Sequence, residues 1–276
     1  MNILQAVVLG VVEGLTEFLP VSSTGHLTIA EKLLRLKVDD PAVTGFTAVI
    51  QVGAIAAVII FFAKDIWRMI SGFFGGLTSA ERRSGFDFRF AVAVGLGSLP
   101  VCVVGVLGKD LISGPLRNLW VVAAALIAWS AVMAFAERVS PQDRPLEELT
   151  ITDGVIIGLA QSLALIPGVS RSGATISTGL LRNLDRVAAT RLSFFLGIPA
   201  LIGAGLFELK DALGGDSVGV PALVVGTLVS FVVAYASIAW LMRFVAHHSL
   251  VVFALYRVLL GGVMIIALAT KVLQAT

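Results

Sequence analysis

Six apolar stretches, each about as long as a bilayer is thick, fill most of this chain, and they constrain its fold more than any other feature. They run from Phe46 to Ala63, Phe90 to Gly108, Asn118 to Ala136, Arg191 to Phe207, Gly219 to Met242 and Leu250 to Thr270. Charged residues are only 14% of the chain, where a soluble domain carries about 25%. The sequence therefore predicts an all-α integral membrane protein, a single membrane domain over residues 1–276. A net charge of +2, scattered between apolar blocks, excludes nucleic acid as a partner. Cys102 is the sole cysteine, so no intramolecular disulfide or cysteine zinc site is available. The first apolar run lacks a basic leader and is interrupted by Glu13 and Glu17, so it reads as mature structure rather than a cleaved signal.

Two further segments, residues 3–36 and 151–182, are apolar at both ends but broken by PVSSTGH and by PGVSRSG. A polar turn at that depth is tolerated only where protein or a wet cavity surrounds it, so both are predicted to be re-entrant helical hairpins. Sliding the chain by 148 residues lays QAVVLGVVEGLTEFLPVSSTGH over DGVIIGLAQSLALIPGVSRSGA, with Ser-x-x-Gly in register. The same shift pairs Phe46 with Phe194, Ile50 with Ile198 and Ala56 with Ala204. The predicted architecture is an internal repeat, about 1–140 and about 150–276, each copy one hairpin plus three spans. Three crossings per copy reverse the second copy, giving an inverted-topology repeat whose broken elements meet near the pseudo-two-fold axis. Lys64, Arg68, Arg82, Arg83 and Arg89 form the richest basic loop and are placed in the cytoplasm. Both termini then face outward; Lys32, Arg35, Lys37, Lys109, Arg117, Lys210 and Lys271 lie on the outer side.

Glu13 and Glu17 are four apart and share a helical face. Burying them calls for a compensating partner, Arg171 or a divalent cation, unless they merely solvate a helix end at an interface. Ser22, Ser23 and Thr24, with Gly25 and a helix beginning near His26, form either an anion cradle or a plain helix cap. The second break repeats the pattern with Ser170, Ser172 and Thr175 and adds Arg171. A guanidinium matches phosphate oxygens and can equally pair with Glu13 or Glu17. His26 is an acid, base or nucleophile candidate, or a structural histidine. His247 and His248 lie far from both motifs and receive no role, and Arg257, inside the last span, is read as a packing or snorkelling residue.

These two motifs resemble those of the undecaprenyl-diphosphate phosphatases of the bacitracin-resistance type. The family's E/Q-x-x-x-E pattern stands here as Glu13-Gly-Leu-Thr-Glu17 followed by FLPVSSTGH, and its PGxSRSxxT pattern is intact from Pro167 to Thr175. The resemblance covers essentially the whole chain. It implies hydrolysis of undecaprenyl diphosphate to undecaprenyl phosphate and inorganic phosphate, recycling the lipid carrier of peptidoglycan synthesis, with dependence on Mg2+ or Ca2+. It implies a multi-pass protein of the bacterial inner membrane with its site toward the outer face, a polyprenyl diphosphate substrate among membrane lipids, and leaves room for a homodimer. Carried over by position, its functional residues are Glu13, Glu17, Ser23 and His26, then Ser170, Arg171 and Thr175.

The expected division of labour gives Glu13 and Glu17 the metal, and the phosphates to Ser22, Thr24, Ser170, Arg171, Ser172 and Thr175. Catalysis falls to Glu17, Ser23, His26 and Arg171, with the attack made by Ser23, by His26 or by water. A transporter or flippase of an anionic lipid or small anion is the rival reading, since inverted repeats with broken helices are also a transporter plan. The other lipid-phosphatase class, with its second histidine motif, does not fit: Ser177 stands where that histidine is required.

Overall fold

The computed structural model describes residues 1–276 except 39, 114, 213–217 and 275–276, and at 110, 113, 117 and 206–212 it describes the main chain only. Arg117 and Lys210, counted above among the outer basic residues, therefore have side chains outside the described set. Among the described residues thirteen α-helices follow one another: α1 (Ile3–Thr16), α2 (Ser23–Leu33), α3 (Pro41–Phe61), α4 (Ala63–Thr78), α5 (Ala80–Arg83), α6 (Phe86–Leu107), α7 (Lys109–Ser113), α8 (Leu119–Val139), α9 (Ile151–Gln161), α10 (Arg171–Leu181), α11 (Arg186–Ala212), α12 (Val220–Val245) and α13 (Val251–Ala269).

Six of these are long and apolar enough to cross a membrane: α3, α6, α8, residues Arg186–Gly205 of α11, α12 and α13. They coincide with the six predicted stretches, shifted by a few residues at their ends. Their outward faces are apolar. On α13 the exposed side chains Leu255, Leu259, Val263 and Ile266 recur at helical spacing, while Phe253, Arg257, Gly261 and Met264 turn inward. Such a surface is stable against lipid and not against water.

The two interrupted segments behave differently. α1 has 14 residues and α9 has 11, about 21 Å and about 17 Å of helix, short of the roughly 30 Å hydrocarbon core. α1 stops before Pro20, and α9 tightens into a 3-10 turn, Ser162–Leu165, before Pro167. α2 then begins at Ser23 and α10 at Arg171, 148 residues apart. The helix predicted near His26 thus starts three residues earlier. At both restarts the residue ahead has positive φ, Ser22 at 76° and Ser170 at 74°. Left-handed backbone at a non-glycine residue costs on the order of 1–3 kcal/mol and persists only where its surroundings impose it. At Gly168, with φ 101°, an added Cβ would sit 2.4 Å from the Val122 carbonyl oxygen were it not for glycine, so the close approach fixes the residue type there.

The basic segment from Lys64 to Arg89, expected as a loop, is mostly helical. α4 exposes Trp67, Ile70, Phe74 and Leu77 along one side and packs Gly76 against Phe88 of α6. Its cations and its apolar stripe share one helix, which is why a count of charges alone reads it as a connection.

The halves interleave. α1 crosses α12 so tightly that a Cβ on Gly10 would lie 2.6 Å from the Gly226 carbonyl oxygen, and one on Gly14 2.7 Å from that of Ser230. α9 crosses α6 in the same way at Gly158 and Gly97, where an added Cβ would overlap the Gly97 main chain. Gly10 and Gly158 are themselves 148 residues apart, and small residues at such crossings let backbones touch where no hydrophobic drive operates. Phe18, in the first break, packs edge-on to Phe194 at 5.5 Å, and Phe62, Phe90 and Phe195 complete an aromatic core joining α3, α6 and α11. Gly158→Val should force α9 off α6 and destabilise the protein by about 2 kcal/mol or more, read as a lower unfolding temperature in detergent, whereas Gly203→Val, with open space around it, should leave that temperature unchanged.

Candidate active site

α2 and α10 start on the walls of one cavity of about 210 Å3. Ser22, Ser23 and Thr24 line it from the first break, Gly168, Ser170 and Arg171 from the second, and Glu17, Gln51 and Gln161 add polar side chains. Val101, Leu165, Leu201 and Ala204 make its apolar side. Two helix N-termini therefore flank the same space, that of α2 without a side-chain cap, an arrangement that favours an anion.

Glu17 stands at the centre of the polar contacts. The Ser23 hydroxyl donates to its Oε2 at 2.7 Å, and Arg171 Nη2 lies 3.4 Å from its Oε1. The carboxylate is buried, so both partners count for more than they would at a surface. Arg171 is set by α11: its Nη1 donates to the Ser193 carbonyl oxygen at 3.0 Å, and Gly197, one turn on, leaves room for the guanidinium that any Cβ would strike. The ring of Phe18 lies 5.9 Å from its central carbon. Arg171 Nε is buried with no hydrogen-bond partner among the described residues, which leaves that donor for a ligand.

The other predicted residues divide. Ser22 and Thr24 line the cavity, and Ser22 makes no side-chain cap. Ser170 lines it and also caps α10 by accepting from the Gly173 N–H at 3.2 Å. Ser172 and Thr175 stand behind the wall. Ser172 donates to the Leu19 carbonyl oxygen at 3.0 Å, tying the second break to the first, and Thr175 donates to Ser193 Oγ at 2.6 Å. Glu13 is buried on α1 and is not among the lining residues. His26 is also outside the lining. Its Nδ1 is 2.7 Å from the Ser22 carbonyl oxygen and its Nε2 is 2.6 Å from the Tyr256 hydroxyl, with the rings stacked. A carbonyl only accepts, so Nδ1 carries the proton, and in the neutral ring Tyr256 donates to Nε2. Both nitrogens are then occupied in holding the first break.

Arg257, expected from the sequence to pack or to snorkel, does not snorkel; it holds the two breaks together. Arg257 is fully buried on α13. It donates to the carbonyl oxygens of Pro20 at 3.2 Å, Gly168 at 2.9 Å and Leu126 at 3.4 Å, and to Ser130 Oγ at 3.2 Å. Pro20 and Gly168 are the same place in the two breaks, 148 residues apart. The only sequence signal was an arginine in an apolar span; that its partners are backbone oxygens has no signature in residue type. Gln51 and Gln161 were equally inconspicuous, although Gln161 occupies the position that the 148-residue shift matches to Glu13.

A hard divalent cation suits this donor set. The Glu17 carboxylate, the Ser23 hydroxyl and the Gln51 carboxamide are oxygen donors of the kind Mg2+ and Ca2+ take, and phosphate oxygens commonly complete such sites. Among the described residues no three His, Cys, Asp or Glu side chains cluster.

Residues 6–263 match the family described as bacitracin resistance protein BacA. The chain is 57% identical over 274 residues to the undecaprenyl-diphosphatase 1 of Streptomyces avermitilis, covering 99% of each protein. It is 54% identical over 275 residues to the undecaprenyl-diphosphatase of Acidothermus cellulolyticus, covering 100% of each. With that of Corynebacterium glutamicum it shares 50% over 273 residues, 98% of this chain and 92% of the relative.

Replacing Arg257 tests the bracing directly. Lysine keeps the charge but cannot reach four acceptors from one ammonium. With hydrogen bonds to a charged group worth about 1.5–3 kcal/mol each, loss of two should cost about 3 kcal/mol or more. Arg257→Lys should therefore unfold well below the parent in detergent, while Arg138→Lys, in the last turn of α8, should match it.

Proposed function

The chain belongs to the bacitracin resistance protein BacA family, and we propose that it acts as its relatives are named to act, hydrolysing undecaprenyl diphosphate to undecaprenyl phosphate and inorganic phosphate. It is a multi-pass membrane protein, and the lipid product re-enters carrier-dependent cell-wall synthesis. The observation that carries the chemistry is the trio Ser23, Glu17 and Arg171 in one cavity between two helix N-termini.

In this reading the diphosphate enters with its terminal phosphate against Arg171, whose unpaired Nε is the donor left for it, and against the hydroxyls of Ser22, Thr24 and Ser170. The polyprenyl tail leaves along the apolar side formed by Val101, Leu165, Leu201 and Ala204. Glu17 accepts the proton of the attacking oxygen, either Ser23 Oγ or a water held by the same pair. The new P–O bond forms as the bond to the bridging oxygen breaks, and undecaprenyl phosphate departs with the electron pair. Through Ser23, a water then attacks the phosphoserine, and as its P–O bond breaks inorganic phosphate leaves and the serine oxygen takes back the proton held by Glu17. Arg171 offsets the charge that gathers on the equatorial oxygens. His26 keeps Ser22 in place through its Nδ1–H, and Ser172 and Thr175 keep the second break in place. A bound Mg2+ or Ca2+, held by Glu17 with Ser23 and Gln51, would neutralise phosphate charge; Glu13 supports that acidic helix face from behind the wall.

The same reading takes α1–α2 and α9–α10 as re-entrant hairpins of an inverted-topology repeat within one membrane domain. Supporting it are the matched positive-φ serines, the matched glycine crossings and the interleaving of the halves. With the basic α4–α5 segment in the cytoplasm, the cavity serves the outer face of the bacterial inner membrane. A homodimer is compatible with the exposed apolar faces of the spans.

Detergent-purified protein with Mg2+ or Ca2+ should release phosphate from undecaprenyl diphosphate. Glu17→Ala and Arg171→Ala should each lower kcat/KM by about 100-fold or more, and rapid-quench trapping of a phosphoenzyme separates attack by Ser23 from attack by water. No phosphate release by the parent protein would overturn the reading in favour of a transporter or flippase.

A further inference from the structure

We propose that Gln161 is a direct ligand of the diphosphate, its carboxamide Nε2 donating to phosphoryl oxygens from the cavity wall. The inference rests on the phosphatase reading and adds to it a neutral donor that neither motif contains. Gln161 is the last residue of α9, at the point where the helix gives way to the Ser162–Leu165 turn. Its side chain is 0% exposed, and both its Oε1 and its Nε2 lack a hydrogen-bond partner among the described residues. It nevertheless lines the cavity with Glu17, Ser23 and Arg171.

A carboxamide offers two donor hydrogens and two acceptor lone pairs. Leaving both ends unmet in a buried position is costly, and such orphans in native proteins call for an explanation. A leucine would fill the same space at no such cost, so the amide is explained by what enters the cavity. The neighbouring groups narrow the choice. Glu17 already receives Ser23 and Arg171, which leaves Gln161 without a polar partner until a ligand arrives. A phosphate oxygen, rich in lone pairs and poor in protons, is what an N–H2 group best satisfies.

Position adds a second argument. Gln161 stands 148 residues after Glu13. Where the first half has a carboxylate set behind the wall, the second half has its uncharged counterpart on the wall. A carboxylate at 161 would put a second negative charge beside Glu17 in a space that must accept a diphosphate. The amide supplies hydrogen bonds there without that repulsion.

The test uses the full chain in detergent, an undecaprenyl methylene-diphosphonate in which CH2 replaces the bridging oxygen, and three readouts: analogue affinity by calorimetry, unfolding temperature, and phosphate release with KM and kcat separated. Gln161→Leu removes two unmet polar atoms and should unfold at or above the parent temperature. It should nonetheless bind the analogue about tenfold or more weakly, the worth of a hydrogen bond to a charged group. Gln161→Glu keeps the shape, adds the repulsion, and should bind more weakly still; should Gln161→Leu fail to fold, this variant decides. Analogue affinity within twofold of the parent in the folded variants, in a protein that hydrolyses undecaprenyl diphosphate normally, overturns the role of Gln161 and leaves the phosphatase reading standing. A parent protein that neither binds the analogue nor releases phosphate overturns the phosphatase reading itself.

Discussion

Two interruptions of helix inside an apolar bundle leave main-chain carbonyls that lipid cannot satisfy, and the rest of this structure depends on one guanidinium that meets them. Arg257 reaches Pro20 in one break and Gly168 in the other, with Leu126 and Ser130 of α8 completing its shell. A buried cation is costly in a membrane; here its cost and that of the orphaned carbonyls offset each other. The geometry follows from that exchange. Because one rigid fork holds both breaks, Ser22 and Ser170 keep their strained backbone and the two following helices start beside the same cavity.

The cavity is then an electrostatic compromise. Glu17 would be untenable alone in this setting, and Arg171 would be equally so. Together, with the Ser23 hydroxyl donating to the carboxylate, they form a paired group that keeps one guanidinium nitrogen in reserve. α11 sets the position of the arginine by a carbonyl at Ser193 and by the missing side chain at Gly197. The site is thus neither a loop nor a helix face but a product of five separate stretches of chain.

Much of this was legible in the residues. Six spans follow from hydropathy because a bilayer demands length and apolarity and little else. The two polar interruptions stood out for the same reason, and their 148-residue register led to the residues that share the cavity. Glu17, Ser22, Ser23, Thr24, Ser170 and Arg171 all line it. What was not legible depends on atoms that residue types do not report. Arg257 works through backbone oxygens, His26 and Tyr256 form a pair 230 residues apart, and Gln161 looked like an incidental polar residue in an apolar run. Ser172 and Thr175 had the right chemistry for phosphate, yet their hydroxyls are spent on Leu19 and Ser193. α4 was read as a connection because its cations, Lys64 and Arg68, belong to the richest basic segment of the chain and its apolar stripe shows only at helical spacing.

The central claim is that the two breaks make a single site, joined by Glu17 and Arg171 across the chain. A double-mutant cycle reads this most directly: kcat/KM for phosphate release from undecaprenyl diphosphate in the parent, Glu17→Gln, Arg171→Lys and the double variant. If the pair acts as one unit, the double variant should be about as slow as the slower single variant. Losses that simply multiply would contradict the claim and return the two motifs to separate roles.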